Sequence, residues 1–280
     1  MTESPGFTAT LKFLAPSDTP PVYRASQGGA DAQLDLEGDY AEHAVRIADG
    51  RAAGGRTAEG RTGGGLSLDR EGFQLLRHQS AVADFYDAEA VETLYSREVE
   101  ALVREATGAA RTHCFDHTRR AASSQTRGQH GTREPSAVVH NDYTDKSGPQ
   151  RVRDIMGEEA EDLLTRRFAI VNVWRAIRHP AETSLLALCS AESARGEDLI
   201  PTPRIAKDRI GELMLAHYSP GQRWFAFPAM TPEEVLLLKT YDSAKDGRAR
   251  FAIHTAFDNP QAPADAKPRE SIESRVFAFF

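Results

Sequence analysis

Disulfide scaffolding is excluded at once, because the 280 residues hold two cysteines, Cys114 and Cys189. Each suits a small buried apolar residue in a reducing compartment. No stretch approaches the roughly 20 apolar residues of a membrane span. Met1-Thr-Glu-Ser-Pro-Gly6 has neither the basic nor the apolar segment of a signal peptide. The cytoplasm is therefore the expected location, and no membrane partner is expected. Positive charge is in deficit too: 34 Lys and Arg against 41 Asp and Glu leave a net −7, which argues against nucleic acid as a partner. The strand–helix alternation of a parallel nucleotide-binding sheet is missing. The glycine-rich stretch 51–65 lacks the preceding strand, the following helix and the Lys-Ser/Thr of a phosphate loop, so it reads as a mobile loop.

What is present suits one globular domain over residues 1–280. Hydrophobic residues make up 40% and charged residues 27%, enough for a core and ordinary for a soluble chain. Residues 1–65 read as N-terminal strands and the glycine-rich loop. Residues 66–136 read as a flank, with strand, turn and strand at 66–76, an amphipathic helix at 84–107 stopped by Gly108, a strand at 111–120 and a polar loop, a candidate lid, at 121–134. Residues 137–280 read as the core. Strands are expected at 137–144, 168–177, 185–191, 251–257 and 272–280, a hairpin at 213–227, and helices at 150–167 and 231–239. The second helix is read from Thr231, Pro232 and a capping-box Glu234. Mainly β with flanking helices, this is the pattern of a jelly roll, the double-stranded β-helix core of cupins.

Chemistry concentrates in Ala137-Val-Val-His-Asn-Asp-Tyr-Thr144. Side chains two apart on a strand share a face, so His140 and Asp142 project together. Imidazole and carboxylate side by side are two-thirds of the 2-His-1-carboxylate facial triad, which holds Fe(II) and leaves positions open. His254, in another strand-like run, is the best third donor. His113, Asp116 and His117 form a rival set, weaker because residues three and four apart do not converge on an extended chain. Arg269 and Ser271 alternate onto one face as a carboxylate clamp needs, and Arg275 shares that face as a rival. Arg175 interrupts an apolar strand, where a buried charge needs a partner, so it is a candidate for a carboxylate on a ligand. Trp174, Tyr143, Tyr218 and Arg119 are further candidates for substrate contact, and Arg120 and Arg127 join them if residues 121–134 cover the site.

Taken in combination, Val139-His-Asn-Asp-Tyr-Thr144, Asn172-Val-Trp-Arg175, Arg223-Trp-Phe-Ala-Phe-Pro228, Met230-Thr-Pro-Glu-Glu-Val235, Lys239-Thr-Tyr-Asp-Ser243 and Arg269-Glu-Ser-Ile-Glu-Ser-Arg275 resemble one group of proteins. These are the Fe(II)/2-oxoglutarate-dependent tailoring oxygenases that include gibberellin desaturase, the cephamycin methoxylation protein and asperfuranone-type hydroxylase/desaturases. The similarity spans residues 65–280. It implies Fe(II) on His140, Asp142 and His254, with 2-oxoglutarate as co-substrate and O2 as oxidant. It also implies that Arg269 and Ser271 hold the distal carboxylate. The expected reaction is oxidation of an unactivated C–H bond of a small-molecule secondary metabolite, by hydroxylation, desaturation or oxidative cyclisation. Two departures are Ala176, where the group's pattern has proline, and the insertion at 51–65. A metal oxygenase that does not use 2-oxoglutarate and a non-catalytic accessory subunit remain as alternatives, and association with further copies of the chain stays open.

Overall fold

The computed structural model describes residues 5–53, 65–207 and 209–280. Most of the glycine-rich stretch, residues 54–64, lies outside them. Among the described residues, fifteen strands form two sheets. The larger runs, in spatial order, β1 (Gly6–Leu14), β4 (Tyr40–Asp49), β12 (Trp224–Ala226), β9 (Ser184–Cys189), β14 (His254–Asp258), β7 (His140–Asn141), β11 (Arg209–Ala216), β10 (Leu199–Ala206), β2 (Val22–Arg24) and β3 (Asp35–Glu37). The smaller runs β5 (Phe73–Arg77), β13 (Glu234–Asp242), β8 (Phe168–Ala176), β15 (Glu270–Phe279) and β6 (Arg111–Ala121). The two sheets curl over a shared interior, giving the expected double-stranded β-helix. The core is not confined to residues 137–280: β1 and β4 extend the larger sheet, and β5 and β6 edge the smaller one.

Alternation along β8 explains the layering. Val171 and Val173 point outward and are covered by Val99 and Val103 of the helix α2 (Ser96–Thr107). This helix continues a short α1 (Ala88–Ala90) through a π-helical turn, and Gly108 at φ 70° ends it, as expected for a left-handed C-cap. Trp174 and Ala176 point inward and join Phe13, Ile47 and Phe257 between the sheets. Phe168 and Ile170 point inward at the other end, under α4 (Ser147–Met156) and α5 (Ala160–Leu164). Between the two inner apolar patches lies Asn172, wholly buried. One polar side chain thus marks the level at which the interior becomes a site.

Several elements differ from the sequence reading. Residues 234–242 are strand β13, not helix. Val235 and Leu237 pack outward while Leu236 and Leu238 pack inward, and a strand covered on both faces has no polar side to betray its period. The Thr231–Glu234 contact exists, with Thr231 N donating to Glu234 Oε2 at 3.0 Å, but it closes a turn. Lys239 and Asp242 are therefore not at a helix end; they pair at 3.0 Å on the strand, and Arg167 forks onto Asp242. Residues 213–227 are not a hairpin, because β11 lies between β7 and β10 while β12 lies between β4 and β9. In 66–76 only β5 is strand. Residues 121–134 contain a short helix, α3 (Ser124–His130), capped by Ser123 and ended by Gly131 at φ 62°. Pro149 sits in the first turn of α4, where its missing N–H costs nothing.

Candidate active site

β7 and β14 are antiparallel neighbours, with His140 directly opposite His254. Each imidazole is anchored by its own strand. Nδ1 of His140 donates to Val138 O at 2.8 Å, and Nδ1 of His254 donates to Ala252 O at 2.9 Å. With the protons held on Nδ1, both Nε2 atoms carry lone pairs. The ring centroids are 4.5 Å apart, and Asp142 Oδ1 stands 3.6 Å from His140 Nε2. One donor atom from each of the three side chains lies within 4.8 Å of the others. Burial, then the neighbouring His254, push His140 down to about 3, so its ring is the neutral form a metal needs.

Asp142 is held from behind. Its Oδ2 accepts from Asn172 Nδ2 and Arg275 Nε and ion-pairs with Arg275 Nη2, each at 2.9 Å. Burial opposes its charge, but Arg275 above all, then His254, His140 and the Asn172 bond, keep it well below the usual carboxylate range. Oδ1 is left facing the imidazoles. Asn172 is itself fixed by Thr240 Oγ1, which donates to its Oδ1 at 3.1 Å.

The two clamp candidates differ. Arg275 also meets Asp116 and Glu273, each at 2.6 Å, so three carboxylates surround it. Arg269 is 1% exposed and, among the described residues, has no carboxylate bonded to it. Nη1 donates to Ser184 O at 2.8 Å, the guanidinium lies 5.6 Å from the centre of the Trp174 ring, and Nε has no partner among the described residues. Burial, reinforced by Arg120, pushes it down to about 9. A buried cation without a counter-ion is costly, and a ligand carboxylate would remove that cost. Ser271 is buried on β15, in register with Ala176 and Arg120.

A cleft of about 740 Å³ opens from Asp142 to the surface, with Tyr143, Arg119, Arg204 and the residues after α3 in its walls. A smaller cavity beside it holds His140, Asp142, Arg120 and Arg133. Arg119 lines the cleft with its Nε on Phe85 O. Three other expectations are corrected. Arg175 turns to the outer face with Val171 and Val173; it reaches His78 and Pro232 O and lies beside the Phe85 and Tyr95 rings. Tyr218 stacks on His43 at 4.1 Å, away from the cleft. Arg127 bonds the carbonyls of Ala30, Ala121 and Ala122. Trp174 is core, with Arg269 over it. His113, Asp116 and His117 do not converge: His117 is held between Ser96 and Ser274, and Asp116 faces Arg275. Asn172, Arg133 and Arg204 were not singled out by the sequence. Asn172 could have been, as a lone polar residue on the inner face of an apolar strand.

The chain matches the family described as Oxidoreductase/YMDC permease-like domain over residues 11–279. It is 34% identical over 196 residues to the Fe(II)/2-oxoglutarate-dependent dioxygenase nvfI of Aspergillus novofumigatus, covering 69% of each chain. To the hydroxylase/desaturase CTB9 of Cercospora beticola it is 31% identical over 240 residues, 76% of this chain and 72% of the other. A solved structure of the iron and alpha-ketoglutarate-dependent endoperoxidase NvfI superposes with a TM-score of 0.83 at 26% identity, covering 100% of this chain and 99% of the other. The chain belongs to the Fe(II)/2-oxoglutarate-dependent dioxygenases. Its cofactor is Fe(II), its co-substrate 2-oxoglutarate and its oxidant O2, and it acts on small molecules.

Proposed function

We propose that the protein oxidises an unactivated C–H bond of a small-molecule secondary metabolite, by hydroxylation, desaturation or oxidative cyclisation, with iron on His140, Asp142 and His254 and 2-oxoglutarate held by Arg269. The observation that carries this is the pairing of a three-donor cluster, its two histidines buried and its aspartate half-buried, with a buried guanidinium on the same interior that has no ion pair among the described residues. Bound iron and 2-oxoglutarate supply the oxidising power; the chain's residues supply placement. His140 and His254 present their Nε2 atoms, each Nδ1 being taken by a backbone carbonyl. Asn172 and Arg275 occupy one oxygen of Asp142, so it offers the other. Arg269 takes the distal carboxylate of 2-oxoglutarate through a fork of charge-assisted bonds, with Ser271 close by and Trp174 beneath the guanidinium. The three carboxylates around Arg275 leave it no capacity for a fourth, which favours Arg269 as the clamp. The cleft keeps the substrate's reacting carbon next to the metal, and small differences in that placement select the outcome.

The free thiols, Cys114 half-buried and Cys189 buried, suit a reducing compartment, and the cytoplasm is part of this reading. A metal oxygenase without 2-oxoglutarate would have no use for a lone buried arginine, and an accessory subunit no use for a complete donor set. Anaerobic addition of Fe(II) and 2-oxoglutarate tests the reading. A weak visible charge-transfer band should appear only with both present, and should be absent from His254→Ala. A band that persists in His254→Ala would remove that residue from the donor set.

A further inference from the structure

The walls of the cleft carry an excess of cations in a protein whose net charge is −7. Six arginines face four carboxylates there. Arg275 accounts for Asp116 and Asp142, and Arg209 faces Asp154 at 3.5 Å. Glu212 accepts from Thr144. Arg119 is held on Phe85 O, and Arg151 lies 5.2 Å over the Phe115 ring. Arg151 has that ring and no hydrogen bond or ion pair among the described residues; the guanidinium groups of Arg133 and Arg204 have no hydrogen bond, ion pair or ring contact among them. Both are half-buried, and both line the outer cleft as well as the small cavity holding His140 and Asp142. They therefore stand between the mouth and the metal donors. Arg204 projects from β10, where its partner across β11 is Gly211 and its neighbour on β2 is Tyr23. A Cβ at position 211 would meet only the Arg209 guanidinium, at 3.9 Å, so no side chain on that strand pair covers it. Burial, then Arg120 and Arg204, lower the pKa of Arg133. Two like charges share one wall, and the carboxylates of Asp142 and Glu134 that line the small cavity with them form no ion pair with either. Apolar surface is close by: Tyr143 lines the cleft, and Ile210, 76% exposed, sits at its rim.

We infer that the substrate is a carboxylate-bearing small molecule, its acid group taken by Arg133 and Arg204 and its apolar part lying against Tyr143 and Ile210. This rests on the reading that iron and 2-oxoglutarate bind at the sites given above. Arg269 serves the distal carboxylate of 2-oxoglutarate, and Arg133 and Arg204 serve the substrate, so the two anions have separate receptors. A cationic wall in an acidic protein also concentrates anions at the mouth.

The test uses the full chain loaded with Mn(II) and 2-oxoglutarate, and 2-naphthoate as probe. Relaxation of the probe's protons by Mn(II) reports binding near the metal. Naphthoate should bind and be relaxed; its methyl ester should not. Arg133→Ala and Arg204→Ala should each weaken naphthoate at least about tenfold, the loss expected for a charge-assisted bond. Their affinity for 2-oxoglutarate should stay within about twofold, which also shows that each variant folds. The inference is overturned if the ester binds like the acid, if naphthoate fails to bind the loaded wild type, or if neither substitution weakens it. Tighter binding of 2-naphthyl phosphate would replace the carboxylate by a phosphate. Failure of wild type to take up Mn(II) and 2-oxoglutarate together is a separate result: it would sink the cofactor reading and not the anion wall.

Discussion

Arg269, immediately before β15, and Arg275, within it, lie six residues apart, about 20 Å along an extended chain, and their surroundings are opposite. Around Arg275 stand Asp116, Asp142 and Glu273; around Arg269 stand a carbonyl and an indole ring. Sequence alternation puts both in the interior and cannot rank them. Charge compensation does. An arginine already matched by carboxylates is part of the fold, whereas one buried without a counter-ion is held ready for an anion from outside. Position, not charge accounting, separates Arg175 from Arg133 and Arg204: it is buried too, with an Nε lacking a partner among the described residues, but it lies on the outer face against His78 and Pro232 O, away from the cleft.

The largest expected effect comes from breaking the compensated end. Arg275→Met leaves three clustered carboxylates unpaired, and removing one partner of a buried ion pair costs about 3–5 kcal/mol. For a chain of this size that is a fall in Tm on the order of 10 °C, read by calorimetry near pH 7. The pH dependence fixes the cause. Arg275 holds Asp116 and Asp142 below their ordinary range, so their pairing stabilises the fold above the unfolded value near 4 and is lost as pH falls through the lower folded values. The gap between wild type and variant should be widest at neutral pH and close in acid. A gap that does not change with pH would mean that Arg275 contributes packing and not charge.

Second in size is the ligand end. Arg269→Ala should weaken 2-oxoglutarate by about 2–5 kcal/mol, the cost of truncating one side of a buried charge pair, seen as a large rise in its KM. Arg175→Ala, on the outer face, should leave that KM within about twofold. If Arg175→Ala raises it as much as Arg269→Ala does, the clamp is misassigned.

Why the sequence separates some of these residues and not others follows from range. The His140–Asp142 pair is legible because the two-residue repeat of a strand is local. Helix α2 is legible because its apolar residues keep helical spacing and Gly108 ends it. Arg175 was legible too: it alternates with Val171 and Val173, hence points away from Asn172, and only the expectation that a charge in a strand must serve a ligand pulled it into the pocket. β13 was not legible, since Leu236-Leu-Leu238 is covered on both sides and carries no period. The wall formed by Arg133 and Arg204 was not legible either. It exists only where the end of α3 and strand β10 meet around the cleft, and no spacing along the chain encodes that meeting.

A smaller effect should follow from removing the neutral support of Asp142. Asn172→Ala takes away one of the three contacts to Oδ2 and leaves Arg275 in place. Outer partners of metal ligands are typically worth 10–100-fold in metal affinity, so Fe(II) or Mn(II) should bind about tenfold more weakly with 2-oxoglutarate affinity at saturating metal unchanged. Unchanged metal affinity would show that Arg275 alone orients the carboxylate.

The smallest effect is the most diagnostic, because its sign should reverse. In the absence of ligands the Arg269 guanidinium is buried with one carbonyl bond and an orphaned Nε, and its lowered pKa reflects that penalty. Arg269→Met keeps comparable length and contact with Trp174 while removing the charge. Without ligands its Tm should equal that of wild type or exceed it by a few degrees, since an unpaired buried cation is replaced by an apolar side chain. Adding Mn(II) with 2-oxoglutarate at about 100 times its wild-type Kd should then raise wild type by about 2.7 kcal/mol through mass action and scarcely move the variant. Wild type becomes the more stable of the two once loaded. A structural arginine behaves differently: its loss lowers Tm with and without ligand by the same amount. If Arg269→Met is clearly less stable when unloaded, the bond to Ser184 and the contact with Trp174 outweigh the cost of burying the charge, and the contrast between the two arginines does not identify the clamp.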